Sequence, residues 1–330
     1  MKSLISIVLL FFLWASALRA QQLGKVVVHD PVLIKQHDTY YVFATGQGID
    51  VWSSPDLLHW TKQAPVFASP PSWAKEIVPT FRGHIWAPDI TYYRGQYYLY
   101  YSVSSFGKNK SAIGLCTNVT LDEKALEFKW VDHGLILQST PGKTAWNAID
   151  PNFICAENGD PYLAFGSFWD GLKMVKLRID GLQTADTAAI LPTIATRLTG
   201  NEAQQPNPIE APFIYRHSNG FFYLFASIDY CCKGINSSYK IIVGRSQTIL
   251  GPYLDDMGNR LDAGGGKLLL QGDARWHGVG HNAVVNLDSE TYLIFHGYDA
   301  KAAGKPKLRI EKLDWDAVGW PQVSKTHLTL

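Results

Sequence analysis

Four carboxylates and one histidine, each near the start of a short apolar stretch, are the residues of this 330-residue chain best placed to do chemistry. They are Asp30 in HDPVLIK, Asp89 in WAPDITYY, Asp150 in IDPNFICA, Glu210 in IEAPFIYR, and His281, with Asn282 beside it, in HNAVVNLD. A carboxylate buried without a partner is costly, so Glu210, set between Ile209 and Ala211-Pro212, needs a reason to be there. Two chemistries use several acids around one pocket. Clustered carboxylates can hold a hard cation such as calcium. Alternatively, two carboxyls on opposite sides of a sugar can break a glycosidic bond, one as proton donor and the other as base. Burial and nearby like charge raise the pKa of one acid until it keeps its proton near neutral pH. Glu210 has the most apolar local setting and is the better candidate for that donor.

These residues lie far apart in sequence, so a repeat must gather them. Five runs of aromatic and β-branched residues recur: DTYYVFAT, GQYYLYYS, GDPYLAFGS, NGFFYLFAS and SETYLIFHG. Their marker tyrosines, Tyr41, Tyr98, Tyr162, Tyr223 and Tyr292, are separated by 57, 64, 61 and 69 residues. About ten residues before each run comes one of the five stretches named above, and after most runs a third strand follows, such as DVWSS or YKIIVGRS. Three or four strands repeated five times predict an all-β chain, a five-bladed β-propeller. A β-sandwich, the competing architecture, has no need of five matched units. In a propeller the first strand of every blade lines the central channel, so its polar starts converge on one face.

Bulk composition narrows the partner. A net charge of +1, with 18% charged residues and no block of one sign, argues against nucleic acid or a membrane surface. A neutral ligand fits better. Eleven Trp and sixteen Tyr either fill the core or line a groove for sugar rings, and composition does not separate the two. Residues 1–20 read as a secretory signal, with Lys2, an apolar run from Leu4 to Trp14 too short for a membrane span, and small residues before the cut. The expectation is therefore an exported chain, periplasmic or extracellular, whose residues 21–330 form one catalytic domain. Cys231 and Cys232 are neighbours; a bond between them and free thiols are equally open readings, and the spacing of the four cysteines does not suggest zinc. Sequons stand at Asn109, Asn118 and Asn236.

The segments HDP at 29–31, WAPDI at 86–90, AIDPN at 148–152, IEAP at 209–212 and GHNAV at 280–284 together resemble glycoside hydrolase family 43 from about residue 25 to the end of the chain. Within it, GSFWDGLKM (166–174) and DYCCKGINSSYKIIVGRS (229–246) look most like the arabinanases, which cut α-1,5-linked L-arabinan. The resemblance implies Asp30 as the general base that activates water and Glu210 as the general acid. Asp150 would orient Glu210 and help keep it protonated. It also implies inversion at the anomeric carbon, with the two catalytic carboxyls roughly 6.5–9.5 Å apart. His281 matches a histidine that holds calcium, mainly through waters, and no organic cofactor is implied. Trp86, Asp89, Asn147, Ser167, Phe168 and Trp169 would bind arabinose units near the cleavage point, while Trp86 and Trp169 could instead pack between blades. Phe106, in SSFGKNKS, could stack on a sugar further along. His37 and His296 are taken as structural.

Endo action on a monomeric enzyme is the leading expectation. Exo action, or an α-L-arabinofuranosidase or β-xylosidase of the same family, is the alternative, with residues 68–84 or 198–208 closing one end of the groove. A non-catalytic sugar-binding propeller is the competing class, and it would not need Asp30, Asp150 and Glu210 together.

Overall fold

The structure, a computed structural model, describes residues 21–185, 191–199 and 206–324. The signal segment 1–20 and the part of the 198–208 stretch at 200–205 lie outside the described residues. The short β-branched and aromatic runs become strands, and polar and glycine turns join them into antiparallel sheets. The connection between His84–Tyr93 and Gln96–Val103 shows why such turns work. Arg94 and Gly95 both have positive φ (49° and 85°), the mirror-image turn whose twist matches that of the flanking strands.

Five sheets form five blades. From the inside outward, blade 1 runs Val32–Gln36, Thr39–Ala44, Asp50–Ser54 and His59–Lys62, with Gln21–Gln22 added at its outer edge. Blade 2 runs His84–Tyr93, Gln96–Val103, Ser111–Asn118 and Val131–Ser139. Blade 3 comprises Asn152–Cys155, Pro161–Phe165, Leu172–Lys176 and Thr193–Ala195. Blade 4 comprises Ile209–Arg216, Phe222–Ile228, Lys240–Ser246 and Lys267–Gln271, and blade 5 Trp276–Leu287, Glu290–Asp299, Lys305–Trp315 and Pro321–Ser324. Each first strand packs beside the first strand of the next blade, and the fifth returns to the first. The ring closes through the backbone, where Leu308 N–H donates to the Val26 carbonyl (3.0 Å). The fold is thus the five-bladed β-propeller that the repeat predicts. Apolar cores lie between neighbouring blades: Tyr100, Phe153 and Phe165 between blades 2 and 3, Leu172, Phe222 and Ile242 between 3 and 4.

One local device recurs at the start of every first strand. Asp30, Ala87, Asp150, Ala211 and His281 all take left-handed backbone, with φ of 53°, 42°, 57°, 54° and 50°. Such a conformation costs a non-glycine residue on the order of 1–2 kcal/mol and survives only where its surroundings enforce it. Here the enforcement is a captured N–H. Ala87 donates to Thr45 Oγ1 (2.8 Å), Asp150 to Ser102 Oγ (3.0 Å), His281 to Ser227 Oγ (2.8 Å) and Asp30 to His296 Nδ1 (3.1 Å). Each acceptor stands within three residues of the end of the second strand in the preceding blade. Ala211 is the variation: its N–H goes to Asp150 Oδ2 (3.1 Å), and the blade-3 hydroxyl, Ser167, turns to Glu210 instead.

This device corrects the alignment of the second unit. The equivalent of Asp30 and Asp150 is Ala87, not Asp89, which stands two residues further along. The device also yields a stability expectation. Ala87→Val, which puts a β-branched residue at positive φ, should cost about 2 kcal/mol and lower the melting temperature by several degrees. Ala87→Gly should melt near the parent, because glycine takes this backbone freely. Equal melting of both variants and the parent in thermal unfolding would contradict the enforcement argument.

Candidate active site

The polar strand starts open into one cavity of about 1100 Å³ on the propeller axis. Asp30, Asp150, Glu210 and His281 all line it, as do Trp86, Phe106, Asn147, Ser167, Phe168 and Trp169. Of the candidate catalytic, substrate-binding and metal-holding residues, Asp89 alone does not line it. That side chain is buried, and its Oδ2 accepts Phe153 N–H (2.7 Å) and Asn152 Nδ2 (3.3 Å). It ties blade 2 to blade 3 and is not at the cavity wall. Of the two stretches expected to close the groove, 68–84 contributes only His84 to the lining, while 198–208 contributes Leu198, Pro206 and Asn207 among its described residues.

Each acid is held differently. Asp30 Oδ1 lies 2.8 Å from His29 Nδ1 and 3.0 Å from His281 Nδ1, and Thr45 Oγ1 donates to Oδ2 (2.6 Å). Burial pushes this carboxyl up, but the charges and hydrogen bonds of His281 and His29 outweigh it and hold Asp30 well below the usual carboxylate range. Burial lowers the His281 imidazole, yet Asp30, Asp150 and Glu210 pull it up to about 9, so it is a cation at neutral pH. Asp150 goes the other way. Burial, with the charges of Glu210 and Asp30, outweighs His281 and raises its carboxyl well above the usual range. Glu210 accepts from Ser167 Oγ at Oε2 (2.6 Å) and from Tyr239 Oη at Oε1 (2.5 Å). Burial and the neighbouring carboxylates push the Tyr239 phenol far up, so it stays a donor. One ionised acid, one acid pushed toward its protonated form and one acid fixed by two hydroxyls share the cavity. Carboxyls whose pKa values are pushed apart are what acid/base chemistry requires.

Several contributors escaped the sequence reading. His29 holds Asp30 and stacks on His296, with ring centroids 4.0 Å apart. His296, taken as structural, is fully buried but bears on the site, because it receives the Asp30 N–H. Burial first, then the charges of His29 and His281, push it well below the usual histidine range, so it is neutral and able to accept. The signal for these acceptors was present: Thr45, Ser102, Ser227 and His296 each follow the marker tyrosine of their run by four residues, and Ser167 follows its own by five. Cys231 and Cys232 form a disulfide, resolving the choice that the sequence left open, and Cys116 and Cys155 are free thiols.

For a metal, His281 spends Nδ1 on Asp30 and keeps only Nε2. Among the described residues, the groups of three His, Cys, Asp or Glu close enough to share an ion are His29–Cys231–Cys232 and His29–Asp30–His296, and neither includes His281. Asn282, next in sequence, has both carboxamide atoms buried without a protein partner, a group that an ordered water would satisfy. These donors fit a hydrated hard cation, which completes six to eight oxygen ligands largely with water, and not a directly ligated one.

Comparison with known proteins agrees with this geometry. Residues 23–321 match the family described as glycosyl hydrolases family 43. An extracellular exo-α-(1→5)-L-arabinofuranosidase of Cellvibrio japonicus is 44% identical over 92% of this chain and 88% of its own. An extracellular endo-α-(1→5)-L-arabinanase of Bacillus subtilis is 42% identical over 89% of this chain and 87% of its own. Among solved structures, an exo-1,5-α-L-arabinanase from a bovine ruminal metagenomic library superposes with a TM-score of 0.88 at 45% identity, covering 93% of this chain and 99% of that one.

Asp89 offers a test separate from catalysis. Burial raises its carboxyl to about 7, against the Phe153 and Asn152 hydrogen bonds that lower it. Because the folded-state value exceeds the unfolded one, near 4, this group favours folding at low pH, and that contribution is lost as pH rises from about 4 to about 7. Asp89→Asn should flatten that part of the stability-versus-pH curve. Melting curves of variant and parent that keep a constant offset from pH 4 to pH 7 would show the carboxyl to be ordinary.

Proposed function

Because the chain belongs to glycosyl hydrolase family 43, we propose that it hydrolyses the α-1,5-linked L-arabinan of pectin side chains with inversion of configuration. The observation that carries this reading is the split between Asp30, held ionised by His281 and His29, and Asp150, pushed up beside Glu210. Asp30 is the base: it takes a proton from the water that attacks the anomeric carbon. Glu210 is the acid: it delivers a proton to the leaving oxygen, with Ser167 and Tyr239 fixing the direction of its carboxyl. Asp150, bonded to the Ala211 N–H next to Glu210, orients Glu210 and helps to keep it protonated. Phe106 at the rim, 80% exposed, and Trp86, Phe168 and Trp169 supply apolar faces for sugar rings. Calcium is the expected ion, and His281 Nε2, once the imidazole gives up its proton, would hold it through waters. It would add positive charge near the acids.

Endo action is the expectation from the sequence, and the Bacillus relative's name supports it. The solved structure that overlays at a TM-score of 0.88 is described as exo-acting, which favours release from a chain end as a second reading. We further propose export after removal of residues 1–20, in keeping with the two relatives named extracellular, and action as a monomer. Among the described residues no helix is long and apolar enough to cross a membrane.

On linear arabinan, wild type should release reducing ends, and Asp30→Ala and Glu210→Ala should each lose a factor of about 10²–10⁴ in kcat. Comparable release by wild type and either variant would sink the assignment. A ladder of oligomers among early products indicates endo action, a single short product exo action. Proton NMR of fresh product should show the anomer opposite to the bond cleaved, and retention would rule out Asp30 as base. His281→Gln removes a cation from Asp30, so the acid limb of the kcat/KM profile should move to higher pH; an unmoved limb would break the link between the two residues.

A further inference from the structure

One wall of the cavity holds a disulfide that has no role in the reaction as drawn. Residues 229–239, which connect the second and third strands of blade 4, carry the Cys231–Cys232 disulfide into the lining beside Phe168 and Tyr230. The connection is tightly stitched: Asp229 N–H donates to the Pro208 carbonyl (3.0 Å), Ser238 N–H to the Tyr230 carbonyl (2.9 Å) and Lys233 N–H to Ser237 Oγ (2.9 Å). It also reaches the holders of both catalytic carboxyls. Tyr239 at its end donates to Glu210. Cys232 N–H donates to Tyr298 Oη (2.8 Å), Tyr298 lies 2.7 Å from His29 Nε2, and His29 Nδ1 meets Asp30.

Disulfides usually stabilise by closing a long loop in the unfolded chain. This one joins residues one apart in sequence, so it closes no such loop and its effect is local. Cys232 Sγ lies 3.9 Å from His29 Nε2, and both sulfurs and a His29 ring nitrogen lie within 4.8 Å of one another. Two bonded sulfurs have no hydrogen to donate and accept weakly, so they present soft, apolar surface among acids and histidines. Phe168 and Tyr230, with ring centroids 5.8 Å apart, extend that surface. A pentose has hydroxyls at its edge and C–H groups on its face, and that face needs an apolar patch to rest on.

We propose that the Cys231–Cys232 disulfide is a substrate-contacting platform, seating the C–H face of a pentose residue beside the bond to be cleaved. The inference rests on reading the cavity as an arabinan site. Arabinohexaose titrated calorimetrically into the Glu210→Gln enzyme measures binding without turnover. Adding Cys231→Ser and Cys232→Ser to that enzyme should weaken Kd by about tenfold or more, as loss of a buried apolar contact does. The same pair in the wild-type background should raise KM while leaving kcat within a few-fold. A bond that only held the loop would act differently, since displaced Tyr239 and His29 would lower kcat. A Kd changed less than twofold, with an unaltered circular dichroism spectrum, overturns the proposal, as does a fall in kcat alone. If the serine pair does not fold, phosphine reduction of the Glu210→Gln enzyme, with the thiols counted by mass, is judged by the same thresholds. A parent that binds hexaose with an indifferent variant defeats the platform alone; a wild type that neither binds nor cleaves arabinan overturns the functional reading and the platform with it.

Discussion

Everything at the centre of this propeller depends on a captured amide. At the start of each first strand one residue is left-handed, and its N–H is taken by a side chain at or near the end of the neighbouring blade's second strand or, for Ala211, by Asp150. The bond holds the residue in a costly conformation and at the same time couples adjacent blades. In three of the five blades the held residue is Asp30, Asp150 or His281, which line the cavity. In blade 4 the held residue is Ala211 and the cavity-lining group is the residue before it, Glu210, whose carboxyl is then caught by Ser167, a hydroxyl of the kind that three other blades use for the amide. A cluster of acids around one cavity thus emerges from a structural repeat by changing which group occupies one repeated place.

Electrostatics completes the arrangement. Three carboxyls and little solvent would not all ionise together, and the fold meets this with the imidazoles of His281 and His29 set against Asp30. His281 lies against Asp30 and stabilises its charge, so the excess proton belongs on the far side of the cavity, with Asp150 beside Glu210. The neutral His296 contributes by accepting rather than by charge, which burial enforces. The same logic places Asp89 outside the chemistry: a buried carboxyl satisfied by a backbone N–H and an amide is a strut between blades.

The repeat was legible because tyrosine-rich runs at near-constant spacing leave a mark that turns and loop insertions do not erase. The three acids and His281 were legible for the same reason, since each opens a unit. Asp89 misled because residue type was matched before backbone: it is an acid in the right unit, two places past the left-handed position, and only dihedral angles distinguish the places. His29 and His296 were missed because their importance lies in what they touch. His296 belongs to blade 5 and serves Asp30 in blade 1, 266 residues away. The neighbouring cysteines illustrate the remaining gap, because adjacency permits both a bond and two thiols.

The sequence by itself determined the architecture, the family and the identity of the acids, because strand pattern, repeat length and residue type are properties of the chain read in order. Only the tertiary structure decided toward which protonation state each carboxyl is pushed, which is a strut between blades and which line the cavity, and which loop forms the wall. Those are set by burial and by distances of a few ångströms between side chains from different blades. Such distances exist only once the ring has closed through Val26 and Leu308.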